Sequence, residues 1–177
     1  MKIAIDSNAL TYLIDAMAPD YDPLKDIPSN RKERQAMLRI FLYQGEPFYV
    51  LPQVTKEYHD IPSYVWRNMH GSTVGALLIE YRIANQTIEI DQRKDNFLKV
   101  HQNSHKDCQL LAEAEVAGMH VLLTRDKIFK NALSGMTMIR IMYPSEYCES
   151  LNLQSDISPT LSPAESNPLF GKTWWKI

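Results

Sequence analysis

The chain repeatedly passes from a short apolar segment into a stretch long enough for a helix, and this alternation constrains its fold more than any other feature. The predicted strands are residues 3–5, 48–50, 87–90, 121–123 and 138–141. Strands that alternate with helices form parallel sheets with both faces covered, and apolar runs are typical of such buried strands. The sequence therefore predicts an α/β fold with a central parallel sheet of about five strands flanked by helices.

Helix signals fall between these strands. Asp, Ser or Asn at a start, Pro in the first turn and Gly after the last turn are typical helix boundaries. The predicted helices are residues 7–17, a segment from Ser29 or Asn30 to Gly45, a segment that begins at Pro52, residues 76–84 and residues 104–117. Residues 62–75 carry no clear pattern.

The 177 residues suffice for one domain with a real core and are too few for two ordinary ones. We predict a domain over residues 1–148 and a Ser- and Pro-rich irregular tail over residues 149–177 with an aromatic end. Exposed paired tryptophans are unfavourable, so Trp174 and Trp175 are expected to pack back on the domain, with docking on a partner as the alternative.

Several features of the sequence limit where the protein is expected to be located in the cell. No apolar run approaches the ~20 residues of a membrane span, and the N-terminus has no signal-peptide layout. Cys108 and Cys148 match no zinc or redox spacing, so a cytoplasmic protein with reduced thiols is expected.

The net charge is −2, so any basic footprint for nucleic acid must be local. Two groups of basic residues offer either such a footprint or an ordinary solvated helix face. These groups are Arg31, Lys32, Arg34 and Arg39, and Arg125, Lys127 and Lys130.

Two carboxylates follow predicted strands at one edge of the sheet. Asp6 stands directly after residues 3–5, and Asp126 stands three residues after residues 121–123. In an open parallel sheet, ligands bind beyond the carboxyl ends of the strands. If the two strands are neighbours, these acids are expected within reach of one metal ion.

Two further acids lie in predicted helices next to that edge: Asp107, one turn into residues 104–117, and Glu57, in the helix that begins at Pro52. Gathered carboxylates raise one another's pKa values unless a cation neutralises them. An oxygen-rich cluster with few histidines favours Mg²⁺ or Mn²⁺, which can orient a phosphodiester and generate hydroxide from water. The sequence therefore predicts a metal-dependent nuclease.

Each acid also has a purely structural interpretation. Asp6 could cap the first helix, Asp107 could complete a capping box with Ser104, Asp126 could be a turn residue and Glu57 a solvated helical glutamate.

Taken in order, these segments resemble the PIN domain, from the first strand to about Ile141. The motifs that carry the resemblance are Ile3-Ala4-Ile5-Asp6-Ser7-Asn8, then Glu57, then residues 107–114, then Val121-Leu122-Leu123-Thr124-Arg125-Asp126. The resemblance implies a Rossmann-like sheet and Mg²⁺- or Mn²⁺-dependent hydrolysis of single-stranded RNA. For many members it also implies the toxin role in a VapC-type toxin–antitoxin pair.

The resemblance also implies site residues and partners. The partners would be RNA, an antitoxin protein and, as is frequent among PIN domains, a second copy of the chain. The catalytic and metal-binding acids would be Asp6, Glu57, Asp107 and Asp126, with Asn8 and Thr124 as polar companions that place water or phosphate.

The chain departs from the family pattern in places. Many relatives carry an Asp–Phe pair shortly after the fourth acid, and Ile128-Phe129 stands there in this chain, so the fourth ligand rests on Asp126 alone. Glu46 and Asp60 are alternatives to Glu57. The chain is also longer than compact toxins of the family, which weakens the toxin assignment more than the fold.

Other functions stay open at this point. A PIN-like RNA-binding or scaffold protein with an inactive site, or a structure-specific DNA nuclease, would fit the same fold. His101 and His105 have the i, i+4 spacing of two ligands on one helical face, although no zinc-protease glutamate follows His101.

Overall fold

A computed structural model describes residues 1–18, 20–22, 24–83, 86–153 and 165–171. The strands are β1 (Ile3–Ile5), β2 (Phe48–Val50), β3 (Ile79–Glu80), β4 (Val121–Leu123) and β5 (Arg140–Met142). The helices are α1 (Ser7–Met17), α2 (Pro28–Tyr43), α3 (Pro52–His59), α4 (Tyr64–Leu77), α5 (Thr87–Leu98), α6 (His105–Val116), α7 (Lys127–Leu133) and α8 (Pro144–Ser150).

The strands form one five-stranded sheet in the order β3-β2-β1-β4-β5, and every pair is parallel. All residues of β1 and β4 are buried, as expected for central strands covered by helices on both faces. Leu10 and Leu13 of α1 are fully buried against this core. The predicted α/β fold, a Rossmann-like parallel sheet flanked by helices, is confirmed.

The strand order reverses at β1, because β2 lies on one side of it and β4 on the other. Ile5 is in register with Leu123, and the backbone amide of Asp6 donates to the carbonyl oxygen of Leu123 at 3.0 Å. A crevice forms beyond the carboxyl ends of the strands at such a reversal, which is where ligands bind in open parallel sheets. The first and fourth of the predicted strands are neighbours, which was the condition for Asp6 and Asp126 to lie near each other at this edge.

The structure differs locally from the predicted elements. Residues 87–90 begin helix α5 instead of forming a strand, and the third strand is Ile79–Glu80, inside the helix predicted over residues 76–84. The unpatterned residues 62–75 lie largely in helix α4. The final strand begins at Arg140, two residues later than predicted.

The chain beyond the predicted domain boundary is in contact with the domain. Helix α8 continues to Ser150, and Leu169 is 2% exposed within the core. The side chain of Asn167 donates to the backbone carbonyl of Phe41 in α2, which fastens this part of the tail. The predicted packing of Trp174 and Trp175 lies outside the described residues.

None of the helices among the described residues is long and apolar enough to cross a membrane.

Candidate functional site

Asp6 lies at the crevice, between the end of β1 and the start of α1. Its side chain is 5% exposed, and its Oδ1 accepts a hydrogen bond from the backbone amide of Ala9 at 2.6 Å. Asp6 is therefore the N-cap of α1, as its structural interpretation requires. The same position holds its carboxylate at the sheet edge where a ligand of this fold would bind.

Thr124 holds the other oxygen of the same carboxylate. Its hydroxyl donates to Asp6 Oδ2 at 2.5 Å and accepts from the backbone amide of Asp126 at 2.9 Å. Thr124 is completely buried and directly follows β4, so it ties the ends of the two central strands together. The family resemblance implied that Thr124 places water or phosphate; in the structure its hydroxyl contacts the Asp6 carboxylate.

The carboxyl group of Asp6 has a raised pKa of about 7, compared with 3.8 for an ordinary aspartate. Burial is the largest cause, because a charged carboxylate loses its hydration there. The bonds from Thr124 and Ala9 lower the pKa, and the negative charges of Glu57 and Asp107 raise it. These last two effects place Glu57 and Asp107 near enough to act electrostatically on Asp6.

Glu57 belongs to α3, which packs against both α1 and α6. It is half-buried, and its Oε1 accepts a hydrogen bond from the side-chain amide of Gln53 at 2.7 Å. Asp60, one of the two alternatives, is exposed just after α3, and Glu46, the other, bonds to the N-terminal amine at 3.1 Å. Of these three acids, Glu57 is the one whose charge is a main cause of the raised pKa of Asp6.

Glu113 is a further acid at this site that the sequence analysis missed. It is 4% exposed on α6, and it accepts from the Gln53 backbone amide at 2.8 Å and from the Gln109 side chain at 2.9 Å. Burial raises its pKa, and the charge of Glu57 adds to that rise. The available signal was an acid inside the otherwise apolar run of residues 110–114, where burying a charge demands partners.

Asp107 lies in the first turn of α6. Its Oδ2 accepts a hydrogen bond from the Ser104 hydroxyl and lies 3.3 Å from His101 Nε2. Its carboxylate thus has local partners of its own while its charge acts on Asp6. His101 precedes α6, so it does not share a helical face with His105 as their spacing suggested.

Asp126 caps a helix, as Asp6 does. Its Oδ1 accepts from the backbone amides of Ile128 and Phe129, at 2.7 and 2.9 Å, and so caps α7. In this arrangement the side chain of Asp126 stabilises the N-terminus of α7. Asn8, the other polar companion that the resemblance implied, is an exposed residue of α1.

The donor chemistry at the crevice fits a hard divalent cation, because Asp6, Glu57 and Asp107 offer carboxylate oxygens whose mutual repulsion a cation would relieve. These side chains do not converge on a common point in this structure. In the part of the chain that the structure describes, no three His, Cys, Asp or Glu side chains lie in a group that could hold a metal ion. Binding would require these carboxylates to move closer together around the ion.

The two predicted basic groups are largely engaged in contacts within the fold. Arg34 bridges Asp15 and Asp26 at 2.8 and 2.6 Å, and Lys130 contacts Glu146 at 2.5 Å. Further contacts involve Lys32 with Glu149, Arg125 with Tyr12 and Arg39 with Tyr43. These residues mainly join helices, so they do not form the free basic surface that the sequence offered as one interpretation.

Replacing Thr124 with Val should raise the pKa of Asp6 above its present value of about 7, because the hydroxyl that stabilises the carboxylate is lost. The free energy of unfolding at neutral pH should fall by about 1–3 kcal/mol, since the Asp126 amide also loses its acceptor. Carboxyl-carbon NMR titration and urea unfolding measure the two effects. Thr124→Ser is the matched control and should preserve most of both; equal effects of Val and Ser would contradict the role of the hydroxyl.

No protein-family model matches this sequence, and no match to a curated protein sequence reaches significance.

Proposed function

We propose that this protein is a metal-dependent nuclease that hydrolyses phosphodiester bonds of single-stranded RNA at the crevice beyond β1 and β4. One observation carries the proposal: Asp6 is a buried carboxylate at the reversal of strand order, and two further acids, Glu57 and Asp107, act electrostatically on it. A helix cap alone gives no reason to bury a carboxylate beside two more negative charges, because that arrangement destabilises its ionised form. A cation-dependent site does give such a reason.

Asp6 would perform the proton chemistry in this proposal. The pKa of Asp6 is about 7 without a cation, and a bound cation would lower it and keep the carboxylate ionised at neutral pH. Its ionised form can accept a proton from the attacking water, while Thr124 and the Ala9 amide keep its two oxygens oriented. Because both donors lie on the frame of β4 and α1, the carboxylate needs little reorganisation.

Asp6 would also hold the cofactor, together with other acids. Asp6, Glu57 and Asp107 would be the residues that bind Mg²⁺ or Mn²⁺, and Asp126 would join them through Oδ2, since its Oδ1 caps α7. When bound, the ion would neutralise the gathered carboxylates and supply Lewis acidity toward a phosphate. The buried Glu113 stays held by Gln53 and Gln109, and its charge supports the position of α3 against α6.

The purified chain tests this proposal directly. A fluorescently labelled single-stranded RNA should be cut in the presence of Mn²⁺ and should remain intact when EDTA is added, with activity restored by excess Mn²⁺. Single-stranded DNA, duplex and flap substrates run in parallel would identify a structure-specific DNA nuclease. If no substrate is cut with Mg²⁺ or Mn²⁺, the proposal is wrong.

The second candidate is an RNA-binding or scaffold protein of the same fold with an idle site. The capping role of Asp126 favours it, since that acid is already committed to the helix. Calorimetric titration with Mn²⁺ separates the candidates: a nuclease should bind the ion with release of protons from Asp6, whereas an idle site should give no binding heat.

A further inference from the structure

An open cleft of about 360 Å³ lies between α3, α5 and α6. Three lysines from these different helices line it: Lys56 from α3, Lys94 from α5 and Lys106 from α6. The buried side chains of Gln53 and Glu113 form part of its wall. The sequence separates the three lysines by up to 50 positions, and only the packing of the helices brings them together.

Three of the six other lysines among the described residues, Lys25, Lys32 and Lys130, form ion pairs. No carboxylate of the described chain lies within 4.0 Å of Lys56, Lys94 or Lys106. The cleft also contains Asp60 and Glu113, and Glu113 accepts hydrogen bonds from Gln53 and Gln109 and feels the charge of Lys94. Positive groups that line one cleft repel one another, and an anion bound among them removes that repulsion.

The cleft adjoins the acid site through the chain itself. Lys56 immediately precedes Glu57, and Lys106 immediately precedes Asp107. Helices α3 and α6 pack against each other, so two of the lysines and two of the acids are presented by the same pair of helices. Gln53, which lines the cleft, donates to Glu57 at 2.7 Å, so a polyanion with one phosphate at the acids would have its neighbouring phosphates beside the lysines.

We propose that this cleft binds the backbone phosphates of a single-stranded polynucleotide that extends from the acid site, with Lys56, Lys94 and Lys106 as the phosphate contacts. Lysine heads on three helices suit several phosphates of a chain better than one compact anion. Lysine contacts to phosphate supply affinity without reading base sequence. The assignment of the ligand rests on the proposed nuclease function, but the binding itself needs neither a metal ion nor catalysis.

The test is equilibrium binding of fluorescein-labelled oligouridylate, measured by fluorescence anisotropy in EDTA over a range of salt concentrations. The variant K56Q/K94Q/K106Q should bind roughly 10- to 100-fold more weakly than wild type at low salt. The slope of log K against log salt should become shallower by about 2, at roughly 0.7 per lost phosphate contact on a single strand. The wild-type chain should bind oligodeoxyuridylate with a similar slope, because the contact is to the backbone.

The matched control, K25Q/K32Q/K99Q, removes the same number of charges from lysines that already have partners in the fold. It should change the affinity by less than about 2-fold. Equal weakening in the two triple variants would overturn the proposal, because net charge alone would then explain the binding. A loss confined to RNA would overturn the assignment to the backbone. Thermal melting checks that both variants are folded.

The failure of this proposal is distinguishable from the failure of the nuclease function. If wild type cleaves RNA but K56Q/K94Q/K106Q has an unchanged Kd and salt slope, the cleft proposal is wrong and the nuclease proposal is unaffected. If K56Q/K94Q/K106Q has a shallower salt slope than wild type but wild type cuts no substrate, the cleft proposal is supported and the nuclease proposal is wrong. A wild-type chain that binds neither RNA nor DNA would overturn the cleft.

Discussion

Replacing Asp6 with Asn is expected to abolish RNA cleavage, with a loss of at least about 1,000-fold in the rate. The amide cannot accept the proton of the attacking water, and it offers a cation neither the charge nor the second carboxylate oxygen. Asn is also a good N-cap, so it can keep the bond to the Ala9 amide and preserve α1. Single-turnover cleavage of labelled RNA with saturating Mn²⁺ measures the effect.

Asp95→Asn is the matched control, because Asp95 is an exposed aspartate of α5 outside the crevice. It makes the same chemical change and should leave the rate within about 2-fold of wild type, as surface substitutions generally do. Mn²⁺ calorimetry on Asp6→Asn should show weaker binding with fewer protons released. If folded Asp6→Asn cleaves RNA at the wild-type rate, Asp6 takes no part in the chemistry and the nuclease proposal is wrong.

The central strands and helices α1, α2 and α6 were predictable because their signals are local and strong. The apolar runs of β1, β2 and β4 are each flanked by clear helix caps or turns, and strands joined by helices predict a parallel sheet. The order of the strands was not predicted. The position of Asp6 directly after β1 depends only on this backbone topology. For that reason the sequence could place it at the binding edge of the sheet, whereas the role of Thr124 came only from the family resemblance.

The elements between α3 and α6 were predicted poorly for physical reasons. Residues 87–90 alternate apolar and polar side chains like a strand, but only Ile90 of the two isoleucines there is buried, and it shares its helix face with Phe97 seven positions later. Strand β3 has two residues, both exposed at the sheet edge, so it leaves almost no apolar pattern. Helix α4 buries only His70 and Val74, which is a weak helical signal.

The rest of the candidate site depends on tertiary contacts that a single sequence does not encode locally. The basic residues that cluster in sequence, such as Arg34 and Lys130, form ion pairs within the fold. The lysines that share a cleft are Lys56, Lys94 and Lys106, which are distant in sequence. Asp126 shows the reverse case, because its local capping chemistry decides where its side chain lies in spite of its position after β4.

The raised pKa of Asp6 makes a prediction about stability that is independent of catalysis. In the folded protein this pKa is about 7, and in the unfolded chain it should be near 3.8. The folded state therefore holds the proton more tightly, and this contributes stability that is fully present below pH 4. This stability is lost as the pH rises from 3.8 through 7. The loss is about 1.4 kcal/mol per pH unit, or about 4 kcal/mol over the roughly three units between the two pKa values.

Asp6→Asn isolates this effect, because Asn does not titrate and the other groups contribute equally to both proteins. The free energy of unfolding of wild type minus that of Asp6→Asn should fall by about 4 kcal/mol between pH 4 and pH 8, as measured by urea unfolding at each pH. At pH 8, Mn²⁺ should stabilise wild type more than Asp6→Asn, since a bound cation offsets the buried charge. Parallel curves for the two proteins across this range would mean that Asp6 ionises freely in the fold. The buried, charge-coupled carboxylate on which both the pH effect and the proposed chemistry depend would then not exist.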